Sequence, residues 1–312
     1  MPNSLLQLNQ FTAIVADTGD IDAIKQFKPL DATTNPSLML KASELESYQH
    51  LVEQAKTYGA GDTSLAADKL ATLIGKEILS SIEGVISTEI DARLSYNTQG
   101  TIERGRRLIK LYKDIGINSN KILLKIAGTW EGIQAAKVFE QEGISCNITL
   151  LFCMAQAKAA ADVNATLISP FVGRITDWYK SHDNVEHYQP SEDPGVNSVK
   201  AIFNYYKGAG FKTIVMGASF RNIEQVKALA GCDKLTISPA LLNELKHSDA
   251  LVNQQFNQVN RIVKEPITES EFRYQLADNN MANEKLAQGI QAFVKDQESL
   301  EAKLALNALA SI

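Results

Sequence analysis

Eight short runs with the composition of β-strands recur along this chain of 312 residues. They are rich in Ile, Val, Leu and Thr, and Gly, Asp or Asn bounds them. The predicted strands cover residues 11–17, 30–35, 84–91, 121–128, 144–151, 165–173, 212–219 and 234–239. Because segments with helical character separate these runs, the order predicts a parallel sheet with helical crossovers.

Helix signals support this reading between the strands. Asn35 can cap a helix whose first position is Pro36. Residues 98–114 carry apolar side chains at helical spacing, and Thr129 can cap a helix over 130–141. The strands and helices therefore alternate along most of the chain.

Eight such βα units predict a closed (β/α)8 TIM barrel, a fold that typically needs about 250 residues. We expect the residues beyond those that the barrel needs to form two helices in 41–83, a polar loop at 180–194 and C-terminal helices over 249–312. We therefore expect a single α/β barrel domain over 1–312, with residues 249–312 packed on it. An open doubly wound sheet is the alternative, although no glycine-rich nucleotide turn favours it.

Polar residues within the predicted strands concentrate near the carboxyl-terminal end of each strand. Side chains alternate between the two faces of a strand, so one face stays apolar while the other carries the late polar group. These late positions are Asp17, Asn35, Glu89, Lys125, Asn147, Thr149 and Ser169. In a barrel they gather at the carboxyl-terminal mouth, where barrel enzymes have their active sites.

Lys125 is the most informative of these residues, because it interrupts the apolar run KILLKIAG (121–128). Burial lowers the pKa of a lysine amine, and a neutral amine can attack a carbonyl to form a Schiff base. The iminium then withdraws electrons from an adjacent carbon–carbon bond. Glu89 and Asp17 can supply the acid–base steps, and Thr149 can hold a catalytic water. The pattern predicts a metal-free aldol-type reaction.

Two arginines that follow late strands indicate a phosphate site. Arg174 lies in SPFVGR and Arg221 in GASFR, with Ser219 just before the latter. Guanidinium groups match phosphate oxygens, and a helix beginning near residue 221 can add backbone N–H donors. The expected substrate is a sugar phosphate.

Composition excludes several other classes. With 31 basic and 36 acidic residues and no basic block, neither nucleic acid nor an anionic membrane is an expected partner. No basic residue precedes the first apolar stretch and no apolar run is long enough for a bilayer, so we expect neither a signal peptide nor a membrane span. The four histidines form no compact ligand pair, and the three cysteines are scattered. We expect a cytoplasmic protein without a metal or other cofactor.

Beyond these patterns, a series of motifs resembles the transaldolase family. The motifs are ADTGD (16–20), DATTNPSL (31–38), STEIDARLSYNT (87–98), LLKIAGTWEGIQAA (123–136), CNITLLF (146–152), ISPFVGRITDWY (168–179), EDPGV (192–196), MGASFRN (216–222), GCDKLTISPALL (231–242) and ITESEFRY (267–274). Their order along almost the whole chain makes the resemblance specific. It is closest to the long bacterial and eukaryotic form.

The resemblance implies a (β/α)8 barrel and a Schiff-base transferase of the non-oxidative pentose phosphate pathway. Members move a dihydroxyacetone unit from sedoheptulose 7-phosphate to glyceraldehyde 3-phosphate, which gives erythrose 4-phosphate and fructose 6-phosphate. Resemblance to the bacterial members also implies a homodimer.

By motif, the resemblance also implies a role for each candidate site residue. Lys125 matches the Schiff-base lysine, and Asp17 the group that exchanges the proton of the substrate hydroxyl. Glu89 and Thr149 match the pair that handles the catalytic water. The substrate-binding matches are Asn35, Asn147, Ser169 and Phe171, and the phosphate-binding matches are Arg174, Ser219 and Arg221.

Two other functions compete with this interpretation. A fructose 6-phosphate aldolase would use the same lysine but release free dihydroxyacetone; Phe171 disfavours it, because those aldolases tend to carry a tyrosine there. A sugar-phosphate-binding barrel without catalysis would lack one of the charged groups. Lys125, Glu89 and Asp17 are all present.

Overall fold

Eight parallel strands close into a barrel in the computed structural model, which describes residues 2–256 and 260–305. The strands are β1 (Ala13–Asp17), β2 (Asp31–Thr33), β3 (Ile86–Glu89), β4 (Ile122–Ala127), β5 (Cys146–Leu151), β6 (Leu167–Pro170), β7 (Ile214–Gly217) and β8 (Lys234–Ile237). Each strand pairs with its neighbour in sequence, and β8 pairs with β1. The predicted TIM barrel is confirmed, and the open doubly wound sheet is excluded.

Helices surround the strands. In chain order they are α1 (Ser4–Leu8), α2 (Ile21–Phe27), α3 (Pro36–Ala42), α4 (Gln49–Gly59), α5 (Thr63–Leu79), α6 (Thr98–Asp114), α7 (Trp130–Gln141), α8 (Met154–Asp162), α9 (Gly173–Asp183), α10 (Pro194–Gly208), α11 (Ile223–Lys227), α12 (Pro239–Lys246), α13 (Glu269–Asp278) and α14 (Asn280–Ala305). Three short 3₁₀ turns cover Glu46–Tyr48, Ala92–Leu94 and Ser119–Lys121. The helices predicted over 98–114 and 130–141 have the expected bounds, because α6 and α7 each begin at a side-chain cap.

The C-terminal extension differs from the prediction of helices throughout 249–312. Residues 249–256 and 260–268 have no helix, whereas α13 and α14 form as expected. The segment instead runs along the barrel, where the N–H groups of Val252, Gln255 and Ile262 donate to groups of other elements. Pro266 and the capping box at Thr268 then set the start of α13. Residues 257–259 and 306–312 of the prediction lie outside the described residues.

The predicted polar loop at 180–194 is shorter in the structure. Helix α9 continues through Asp183, and α10 begins at Pro194. Asn184 ends α9 in the left-handed conformation with φ of 54°, and Asp193 caps α10. Between them, residues 184–193 connect the two helices.

The barrel interior is divided into layers along its axis. An ion pair between Asp31 and Lys234, the first residues of β2 and β8, lies at the amino-terminal end. Above it, Val15, Leu123, Leu167 and Met216 form a small apolar core that is separate from the larger core between strands and helices. Above this apolar layer lie polar side chains near the carboxyl-terminal ends of the strands, where a cavity opens.

Helix α14 brings the C-terminal region to this mouth. It packs against α3, α5, α9 and β5, with Phe293 among its buried residues. Within 2–256 and 260–305, no helix has both the length and the apolar character needed to cross a bilayer.

Candidate active site

The carboxyl-terminal mouth contains a cavity of about 250 Å³. Nine of the eleven candidate site residues line it: Asp17, Asn35, Lys125, Thr149, Ser169, Phe171, Arg174, Ser219 and Arg221. A larger cavity of about 950 Å³ lies at the opposite end of the barrel, near Phe11 and Leu30, and contains none of them. The smaller cavity is therefore the candidate active site.

Lys125 lines the cavity and lies on β4, a strand whose six residues are all buried. Its side chain is 5% exposed, and its Nζ lies 3.0 Å from Glu89 Oε2. Nζ also donates a hydrogen bond of 3.1 Å to the carbonyl of Thr34. The pairing of Glu89 with Lys125 in the β3–β4 register places both side chains on the same face. The buried amine thus has a carboxylate partner and faces the cavity.

Two carboxyl groups that interact electrostatically with the amine have raised pKa values. Burial raises the pKa of Glu89, and the charge of Lys125 opposes this shift. Burial also raises the pKa of Asp17, opposed by the charges of Lys125 and then Arg174. Carboxyl groups that hold protons to higher pH than usual are suited to proton transfer near neutral pH.

Thr149 and Asn147 are neighbours on the inner face of β5 but have different surroundings. Thr149 Oγ1 lines the cavity and has no hydrogen-bond partner within the described residues. The fully buried Asn147 instead donates from Nδ2 to Ser87 Oγ at 3.0 Å, and its Oδ1 accepts from Ser169 Oγ at 2.7 Å. Asn147 therefore orients Ser169, and its predicted direct contact with substrate stays a prediction.

Asn35 both caps helix α3 and lines the cavity. Its Oδ1 accepts the N–H of Leu38 at 2.9 Å and caps α3, as the sequence indicates. Because that bond uses only the carbonyl oxygen, the amide nitrogen remains for a ligand.

Arg174 is the cavity's most available cation. Its guanidinium carbon lies 5.1 Å from the ring centroid of Phe171 and 5.7 Å from that of Phe293. No carboxylate of the described residues forms an ion pair with it. Burial, together with the charge of Arg221, lowers the pKa of Arg174. A partly buried guanidinium held between aromatic rings without a counter-ion is suited to bind an anion.

Arg221 and Ser219 lie beside Arg174. Arg221 forms an ion pair of 2.8 Å with Asp177, and its Nη1 donates to Ser219 Oγ at 3.4 Å. The backbone N–H of Arg221 already donates to Gln225, and helix α11 begins only at Ile223. The predicted helix near residue 221 therefore does not present that N–H group to a ligand.

Sequence reasoning missed several residues that line the cavity. The most relevant are Thr33, Met216, Phe220, Thr236, Ser238 and Phe293. Alternation along DATTN and KLTISP could have indicated Thr33 and Thr236, which follow the same inward-facing pattern. No local signal indicates Phe293, because only the packing of α14 brings it to the mouth.

A glycine allows that packing. A Cβ atom added at Gly289 would lie 2.8 Å from a Leu150 methyl carbon and 3.1 Å from Arg174 Nη1. Helix α14 therefore approaches β5 and the arginine closely enough for Phe293, one turn later, to cover the guanidinium.

Among residues 2–256 and 260–305, no group of three or more His, Cys, Asp or Glu side chains is arranged to hold a metal ion. The side chains that line the cavity offer an amine, one carboxyl, an amide, hydroxyls and guanidinium groups, and Glu89 adds a second carboxyl against the amine.

Comparison with known proteins agrees with this geometry. Residues 14–304 match the family model described as transaldolase/fructose-6-phosphate aldolase. A transaldolase of Alteromonas mediterranea is 55% identical over 97% of this chain and 98% of its own length. Those of Methylobacillus flagellatus and Haemophilus influenzae are 54% and 53% identical, over 98% and 97% of this chain and 99% of their own lengths.

Proposed function

Because this chain belongs to the transaldolase/fructose-6-phosphate aldolase family and has transaldolase function, we propose that Lys125 is its Schiff-base nucleophile. The observation that carries the proposal is the buried amine of Lys125, which faces the cavity with Glu89 Oε2 at 3.0 Å. A second carboxyl, Asp17, lines the same cavity and is available for the proton of a substrate hydroxyl.

The first half-reaction forms the covalent intermediate. After its proton passes to Glu89, the Lys125 amine attacks the C2 carbonyl of a ketose phosphate, and the carbinolamine loses its hydroxyl as water to leave an iminium. Asp17 then accepts the proton of the C4 hydroxyl as the C3–C4 bond breaks. The bonding electrons move into the iminium, the aldose leaves, and an enamine of three carbons remains on Lys125.

The second half-reaction reverses these steps with an acceptor aldehyde. The enamine carbon attacks the aldehyde carbon while Asp17 returns its proton to the new hydroxyl. Glu89 and Thr149 then direct water to the iminium carbon. Both residues suit this step, because Glu89 lies against the amine and the Thr149 hydroxyl has no other partner in the described structure.

The substrates follow from the relatives and from the cationic end of the cavity. The donor and acceptor are sedoheptulose 7-phosphate and glyceraldehyde 3-phosphate, which give erythrose 4-phosphate and fructose 6-phosphate. Arg174, Ser219 and Arg221 bind the phosphate. Asn35, Ser169 and Phe171 line the part of the cavity that holds the dihydroxyacetone end. This reaction belongs to the non-oxidative pentose phosphate pathway.

Borohydride trapping tests the proposal. Incubation with fructose 6-phosphate and borohydride is expected to place a reduced three-carbon adduct on Lys125, located by peptide mass mapping. Consumption of fructose 6-phosphate should also require an acceptor aldehyde. An adduct on a different lysine would refute the assignment, and release of free dihydroxyacetone without an acceptor would favour the aldolase reaction.

Arg174→Met is expected to weaken the use of phosphorylated acceptors selectively. Loss of a charge-assisted contact should lower kcat/KM for glyceraldehyde 3-phosphate about 10- to 10²-fold. Unphosphorylated glyceraldehyde should be affected little, since it lacks the phosphate. Arg106→Met is a matched control, because Arg106 is exposed on α6 and pairs with Glu142. Equal losses for both acceptors would contradict a phosphate role.

We also propose that the protein is a homodimer in the cytoplasm, as its resemblance to bacterial members implies. The three buried, unpaired cysteines are compatible with a reducing compartment. Light scattering on the purified protein would measure its assembly state.

A further inference from the structure

Unpartnered polar atoms mark a part of the cavity that the proposed mechanism does not use. In the described part of the chain, Thr33, Thr149 and Thr236 line the cavity, and each has a buried hydroxyl without a hydrogen-bond partner. The proposed mechanism uses the Thr149 hydroxyl to hold the catalytic water, so the hydroxyls of Thr33 and Thr236 remain without an assigned role. Because a buried hydroxyl without a partner is unfavourable, such a group on a cavity wall indicates contact with a ligand.

The position of Thr236 indicates which part of the substrate it meets. Strand β8, which carries Thr236, lies between β7 and β1. The chain leaving β7 carries Ser219 and Arg221, and β1 ends at Asp17. The end of β8 therefore lies between the proton acceptor Asp17 and the phosphate site at Ser219 and Arg221, where the aldose portion of a substrate would lie.

Ser238 provides a second hydroxyl group near Thr236 on the cavity wall. It lies two residues beyond Thr236 and also lines the cavity. Although it occupies the N-cap position of α12, its side chain makes no capping hydrogen bond, and the next residue is Pro239. Its hydroxyl is therefore not committed to the helix.

We propose that Thr236 binds a secondary hydroxyl of the aldose portion, between the reacting carbon and the phosphate, with Ser238 beside it. This inference rests on the proposed function, because it takes the reacting carbons at Lys125 and the phosphate at Arg221. Thr236 then makes the enzyme prefer phosphorylated aldehydes that carry a hydroxyl next to the aldehyde carbon.

The test compares two acceptors of equal length, erythrose 4-phosphate and its 2-deoxy analogue, with fructose 6-phosphate as donor. The wild-type enzyme is expected to prefer the hydroxylated acceptor about tenfold in kcat/KM. Thr236→Val keeps the shape but removes the hydroxyl, so the preference should disappear through a loss on erythrose 4-phosphate alone. Thr236→Ser, the matched control, keeps the hydroxyl and should keep the preference.

Borohydride trapping on the same proteins separates this inference from the function it rests on. Thr236→Val should still form the three-carbon adduct at Lys125, because its change lies outside the dihydroxyacetone end that bonds to Lys125. A wild-type enzyme without an adduct would refute the proposed function. A normal adduct together with an unchanged acceptor preference, or an equal loss on both acceptors, would refute only the role of Thr236. Thr236→Ala provides the same comparison if valine disturbs folding.

Discussion

Lys125→Met is expected to lower kcat by about 10⁴-fold or more, since it removes the amine that forms the Schiff base in the proposed mechanism. Methionine keeps the unbranched apolar stem but cannot form an imine. Binding of the substrate phosphate should persist, because Arg174 and Arg221 are unchanged. Steady-state kinetics with fructose 6-phosphate and an acceptor aldehyde would measure the loss, and borohydride should trap no adduct.

The Lys125→Met chain is expected to fold. The substitution leaves Glu89 without its cation, but burial already raises the pKa of Glu89, so this carboxyl can take up a proton instead of remaining a buried charge. The loss in unfolding free energy should therefore be smaller than the roughly 3–5 kcal/mol that an uncompensated buried charge costs. Thermal unfolding would measure it.

Lys121→Met is the matched control for this variant. Lys121 precedes β4, is exposed, and donates to the carbonyl of Glu83 at 2.7 Å. This control should keep wild-type kcat and the adduct at Lys125. Substantial turnover by Lys125→Met, beyond trace contamination, would show that another group is the nucleophile.

Asp17→Asn is expected to lower kcat by about 10³-fold while leaving Schiff-base formation intact. The amide cannot accept the proton of the C4 hydroxyl, so the iminium should accumulate before the carbon–carbon bond breaks. Borohydride should then trap an adduct on Lys125 with the mass of the whole ketose phosphate instead of three carbons. A three-carbon adduct formed at the wild-type rate would contradict the role of Asp17.

The stability of Asp17→Asn is also expected to depend on pH differently from that of the wild type. Burial raises the pKa of Asp17 above its ordinary value of 3.8, so the folded chain holds this proton to higher pH than the unfolded chain. Wild-type stability therefore falls, through this group, as pH rises from about 4 through the raised pKa. Asparagine has no such titration, so Asp17→Asn should gain stability relative to wild type between pH 3 and pH 7.

Melting temperatures at the two pH values would measure this gain. Asp278→Asn, at the exposed end of α13, is the control and should show no comparable change. A higher melting temperature of Asp17→Asn at pH 7, together with a loss of kcat, would show that the buried Asp17 carboxyl destabilises the folded state but is needed for catalysis.

The barrel was predictable because its signals are local. Strand alternation, the cap at Asn35 and the spacing in 98–114 each involve a few neighbouring residues, and the structure confirms the elements they indicate. The predicted strands were longer at their ends, because residues such as Phe11 and Thr12 share the composition of β1 without pairing in the sheet. The prediction of helix was wrong for residues 249–256 and 260–268, since several of their backbone N–H groups donate to residues far away in sequence.

The sequence by itself determined the barrel and the polar, lysine-containing end of its strands, because alternation decides which side chains share a face and parallel strands bring their carboxyl ends together. Only the tertiary structure decided how those side chains are used. It joined Lys125 to Glu89, turned Asn147 toward Ser169, left the Thr236 hydroxyl without a partner, and placed Phe293 over Arg174. These outcomes depend on distances between residues that are remote in the chain, which no local pattern of residue types specifies.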